Sequence, residues 1–169
     1  MSMNYSERFA VHPEDFKSYG TQRIRDEFLV EKVMVEDEIN LTYSQYDRYI
    51  VGGAVPVNKS LPLESIDPLK ASHFLERREM GIINVGGKGK VVTADETFEL
   101  DFKEALYLGQ GTKDVKYESL DKNKPAHFYI NSAPAHKAYP CKKVTLNDAE
   151  VVDLGALESS NARRINKLL

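Results

Sequence analysis

Short apolar runs constrain this chain most. HFLERREMGIINV, KVVTADETFEL, ALYLG, DVKYES and AHFYINS follow one another between His73 and Ser132, and each is closed by Gly, Asp, Asn or Pro. In INLTYSQYDRYIV, Ile39, Leu41 and Tyr43 alternate with Asn40, Thr42 and Ser44, the period of a strand with one buried face. Many such strands with frequent turn signals predict an all-β sandwich or barrel. The β signal starts at Phe28 with FLVEKVMV. Gly52-Gly53 reads as a bulge or turn, and AVPVNKSLPLESIDPL, with three of the seven prolines, as a loop or edge segment. Residues 1–20 read as an N-terminal arm of mixed structure, 21–146 as the barrel, and 147–169 as a C-terminal segment in which LESSNARRINKLL is the best candidate for a short helix.

The stretch IINVGGKGKVV (residues 82–92) tests the main alternative, a nucleotide-binding α/β fold. Gly81 and Gly86 have the spacing of a phosphate loop. Gly87, however, stands where lysine is required, and Lys88 is followed by Gly89 rather than Ser or Thr. Lys90-Val91-Val92-Thr93 then continues as a strand instead of opening a helix. The glycines are therefore expected to reverse one strand into the next.

Composition narrows the function. Net charge is -3, which offers nucleic acid no electrostatic attraction. The single cysteine, Cys141 in YPCKK, forms neither an internal disulfide nor a cysteine zinc site. The start MSMNYSERFAVHPEDF lacks the apolar core of a signal peptide, and no run approaches the roughly 18 apolar residues of a membrane span, so no membrane partner and a cytoplasmic location are expected. His12, His127 and His136 form no cluster by spacing.

Read outward from the glycine loop, HFLERREMGIINVG resembles the first motif of cupin (jelly-roll) barrels, G-x5-H-x-H-x3,4-E-x6-G. Glu79 lies the required distance before Gly86, His73 holds the first histidine place, and Leu75 replaces the second histidine. DFKEALYLGQGTKD resembles the second motif, with Gly111 at the glycine place and Asp114 where the last histidine falls. On an unbroken strand His73, Leu75, Arg77 and Glu79 share the lumen face, with Arg77 neutralising Glu79. His73, Glu79 and Asp114 are then the remnant of a metal site, and a divalent-metal enzyme using these three is one reading. A barrel filled by side chains is the other.

Longer segments are more specific. RDEFLVEKVMV, YDRYIVGGAVPV, FLERREMGIINVGGKG, ALYLGQGTKDV, NSAPAHKAYPCKKVT and SSNARRINKLL together resemble the 5-keto-4-deoxyuronate isomerase family from about Thr21 to Leu169. The resemblance implies two cupin barrels in one chain and conversion of 5-dehydro-4-deoxy-D-glucuronate, a product of pectin breakdown, to 3-deoxy-D-glycero-2,5-hexodiulosonate. It implies a hexamer and a zinc ion held by three histidines and a glutamate of the second barrel. No histidine follows Leu146, so this chain resembles the N-terminal half, and neither zinc nor a catalytic residue is expected in it. Arg77 is the candidate here for the carboxylate of a uronate substrate. A non-catalytic cupin module for sugar binding or assembly is the alternative. A barrel that normally packs on a second one leaves an apolar face, so a homo-oligomer is expected.

Overall fold

The structure, a computed structural model, describes residues 3–168. Thirteen strands and two short helices follow in the order β1 (Met3–Arg8), α1 (Pro13–Phe16), α2 (Thr21–Phe28), β2 (Ile39–Ser44), β3 (Ile50–Ala54), β4 (Leu61–Pro62), β5 (Arg78–Asn84), β6 (Gly89–Val92), β7 (Thr97–Leu100), β8 (Ala105–Leu108), β9 (Lys116–Ser119), β10 (Phe128–Pro134), β11 (Lys142–Val144), β12 (Glu150–Leu154) and β13 (Arg163–Lys167). The large sheet runs β1-β2-β3-β10-β5-β8-β11 and the smaller one β4-β9-β6-β7, with β12 and β13 forming a separate ribbon. β1 pairs with β2 in parallel, and the other ladders are antiparallel. This is the expected all-β architecture. None of the helices formed by the described residues is long and apolar enough to cross a membrane.

Alternation builds the core. Ile39, Leu41 and Tyr43 of β2 are buried, as are Met80 and Ile82 of β5, Leu106 and Leu108 of β8, and Phe128 and Ile130 of β10. The smaller sheet adds Leu61, Val91, Leu100 and Tyr117 to the same cluster. Each such side chain contributes about 1.5–3 kcal/mol by leaving water. The Tyr117 and Phe128 rings pack at 5.4 Å between centroids, and the Tyr117 hydroxyl donates to Met80 Sδ at 3.3 Å.

The glycine loop does not make a hairpin. β5 belongs to the large sheet and β6 to the smaller one, so residues 85–88 turn the corner between sheets. Close approach, not left-handed backbone, explains the glycines. A Cβ on Gly87 would lie 1.9 Å from the Lys124 carbonyl oxygen, and one on Gly86 2.5 Å from the His127 nitrogen. Gly52-Gly53 is likewise neither bulge nor turn. It lies inside β3, where Val33 and Met34 cross over it, and a Cβ on Gly53 would sit 2.7 Å from the Val33 carbonyl oxygen.

Two further segments depart from the sequence reading. The β signal of FLVEKVMV is not realised as a strand. Phe28 ends α2, and 29–35 is irregular until Glu36 bridges Val55. The tail is the β12–β13 ribbon, not a helix. Asp153 faces Arg164 and Glu150 faces Lys167 across it, with bonds of 2.8 and 2.9 Å in the first pair and 2.7 Å in the second. Leu157–Ser159 makes only a 3-10 turn, and Ser160 (φ 51°) and Gly155 (φ 78°) enter the left-handed region around it. Opposite charges at cross-strand positions favour the ribbon over a helix.

Candidate functional site

The residues expected to share one lumen face do not. His73 to Arg77 form a turn, and β5 begins only at Arg78. Parity in β5 is the reverse of the expected one. Arg78, Met80, Ile82 and Asn84 point inward and are buried, whereas Glu79 lies on the other face. A shift of one residue in a strand exchanges its faces.

Each expected metal-site residue therefore has another setting. Nδ1 of His73 bonds Ser72 Oγ at 3.0 Å, and its Nε2 is buried without a partner. Leu75 is fully buried in the core. Asp114 is exposed, with a left-handed φ of 54°. Arg77 does not pair with Glu79. Its Nη2 donates to the Leu69 and Lys70 carbonyls, both at 2.8 Å, and its Nε lies 4.0 Å from Glu76. A lone orphaned imidazole nitrogen is one donor where zinc asks for about four. Among the described residues no group of three or more His, Cys, Asp or Glu side chains is placed to hold a metal. The described residues thus present no donor set for a zinc ion.

Glu79 instead opens a second site on the outer face. β5 and β8 place it beside Tyr107, whose hydroxyl donates to Glu79 Oε2 at 2.6 Å. Burial, then this bond, raises the Tyr107 pKa above the usual phenol value. Glu79, Tyr107, His136, Tyr139 and Lys142 line a cleft of about 460 Å³ together with Val144 and Leu168. The His136 and Tyr139 rings meet edge to face at 6.0 Å. The cleft offers a carboxylate, a phenol, an imidazole and an ammonium group to a polar ligand. ALYLG was read only as a strand, and Tyr107 was not singled out, because only its pairing opposite Gly81 brings it to Glu79.

The remaining singled-out residues are structural. His12 Nδ1 accepts from the Glu14 nitrogen at 3.2 Å and caps α1. His127 serves through its backbone, donating to Asn84 Oδ1 at 3.2 Å. Cys141 packs against the core, with Thr112 Oγ1 at 3.5 Å from its sulfur.

Two facing sheets with an interior filled by Leu, Ile, Met and Tyr side chains define a jelly-roll barrel of the cupin type. A solved IolB-like protein from Salmonella typhimurium shares this fold, with a TM-score of 0.53 at 18% identity over 72% of this chain and 43% of that one. The chain matches the KduI/IolB family over residues 29–169 and belongs to it. It is 60% identical over 169 residues to 4-deoxy-L-threo-5-hexosulose-uronate ketol-isomerase of Bacteroides fragilis. It is 59% identical to 4-deoxy-L-threo-5-hexosulose-uronate ketol-isomerase 1 of Bacteroides thetaiotaomicron. The chain spans 60% of the length of each of these relatives.

Proposed function

We propose that this chain is the N-terminal cupin barrel of a ketol-isomerase acting on 5-dehydro-4-deoxy-D-glucuronate, with the zinc centre formed by residues outside these 169. The observation that carries the reading is identity of 60% to the Bacteroides fragilis isomerase along the whole chain. The donor set of the chain agrees with it, because His73, Glu79 and Asp114 are held apart by a turn, a strand and a left-handed loop.

Ketol isomerisation moves a proton between adjacent carbons through an enediolate, which needs a base and stabilisation of the oxyanion. No residue of this chain is assigned either task. Its part is to fold a filled barrel that supports its neighbour and the oligomer. Phe16, Ile24, Phe28 and Tyr46, all exposed, line an apolar hollow beside the N-terminal helices and form one surface for such assembly.

The test is direct. The purified 169-residue chain is expected to hold substoichiometric zinc by elemental analysis and to turn over no substrate. Joining it to the part of the Bacteroides fragilis relative that it does not cover is expected to restore zinc and turnover together. Robust turnover with stoichiometric zinc in the 169-residue chain overturns the proposal. The filled interior favours a second reading, a non-catalytic module. A joined chain that takes up zinc but isomerises nothing decides for it.

A further inference from the structure

A second pocket opens at the Arg78 end of β5. It has a volume of about 310 Å³, and Arg48, Lys70, Arg77 and Arg78 line it together with Tyr43 and Phe74. Among the described residues no acidic side chain lines it. The chain as a whole has more acids than bases, 26 against 23, so four cations around one hollow run against its composition.

Arg78 is the centre of this arrangement. It is only 5% exposed, and its Nε and Nη2 are satisfied by neutral groups. Nε donates to Ser132 Oγ at 3.1 Å, and Nη2 to the Ser132 and Arg48 carbonyls at 2.8 and 2.7 Å. Among the described residues no carboxylate pairs with Arg78, Arg48 or Lys70, and Arg78 Nη1 bonds no protein group but keeps contact with solvent. A buried charge without a counter-charge is costly, and proteins rarely leave one unmatched. Burial lowers the Arg78 pKa to about 10, which leaves the group cationic at neutral pH.

The rim points the same way. Arg48 and Lys70 both adopt left-handed backbone, with φ of 54° and 45°. Gly, Asn or Asp would serve such turns at less cost, so two long cations there are not explained by the turns. Arg77 fixes the second of them by holding the Leu69 and Lys70 carbonyls. Guanidinium forks recognise planar oxyanions with paired donors. The volume lies at the small end of the range for small-molecule sites.

We propose that this pocket binds a small oxyanion, the carboxylate of a sugar acid or a phosphate, with Arg78 as the buried anchor and Arg48 and Lys70 as the rim. The proposal does not depend on the isomerase reading, since it concerns the opposite face of β5 from Glu79 and needs no turnover.

Calorimetric titration of the 169-residue chain at low salt tests it, with D-galacturonate, inorganic phosphate and uncharged galactose as probes. Saturable binding of galacturonate or phosphate, with none of galactose, is expected. Binding of galacturonate alone identifies the sugar carboxylate as the ligand chemistry, and binding of phosphate alone identifies phosphate. The double substitution Arg48→Gln and Lys70→Gln, on exposed turns, is expected to weaken that binding at least about tenfold. Lys122→Gln, on a distant exposed loop, is expected to leave it unchanged. Absence of saturable binding by both anions overturns the proposal, as does equal weakening by the Lys122 and the double variants.

Discussion

At one end of β5 the Asn84 side chain is sealed into the molecule. Its Nδ2 donates to the Gly87 and Leu100 carbonyls at 2.7 and 3.0 Å, and its Oδ1 accepts from the Gly86 and His127 nitrogens at 3.1 and 3.2 Å. At the other end Arg78 is also buried, though not completely, yet its charge has no counterpart and its Nη1 bonds no protein group. Both are polar groups on the inner face of one strand. The neutral amide is fully matched by backbone and locks a corner between sheets. The cation is matched only as a hydrogen-bond donor, which holds it in place without neutralising it. Complete satisfaction marks a structural role, whereas satisfied geometry with an unsatisfied charge marks a place prepared for a ligand.

The largest effect that sharpens this contrast is expected from Asn84→Ala. It strands four backbone groups, two of them in buried bonds and two in part-buried ones, and should cost about 3–5 kcal/mol in urea denaturation. A loss below about 1 kcal/mol would break the contrast at the sealed end. Arg78→Met removes the charge while keeping the bulk of the side chain. Stability is expected to fall by no more than about 1.5 kcal/mol, because an uncompensated buried charge disappears with the hydrogen bonds. A loss as large as that of Asn84→Ala would make Arg78 a structural clasp.

The smallest effect concerns Asp37, near the sealed end. Its carboxylate accepts from Asn58 Nδ2 at 2.6 Å and from the Asn58 and Val57 nitrogens at 2.8 and 2.9 Å. The Asn58 side-chain bond, first among these, lowers its pKa from 3.8 to about 2. A depressed carboxylate stabilises the fold above its unfolded pKa and loses that contribution as pH falls through the folded one. The stability difference between the protein and Asp37→Asn is thus expected to be constant above about pH 4 and to shrink towards pH 2. A difference that stays flat across that window in denaturation at several pH values would remove Asp37 from the sealed end.

The strands of the barrel were legible because burying one face imposes a period of two, as in Ile39, Leu41 and Tyr43. Which face of β5 turns inward was misread. The cupin spacing favoured Glu79, although Met80 and Ile82 carried the apolar parity and were the better guide. The ribbon at Glu150–Lys167 was missed because its stabilising pairs, Asp153 with Arg164 and Glu150 with Lys167, are separated along the chain and do not register as local periodicity.

The sequence by itself determined the fold class and the family, since both rest on local alternation and on runs of specific residues that need no partner to be recognised. Only the tertiary structure decided what surrounds Glu79 and Arg78. Tyr107 comes from another strand, Arg48 from a turn and Lys70 from a loop. Charge and hydrogen bonding act through space over a few ångströms, so a site assembled from distant segments has no signature along the chain.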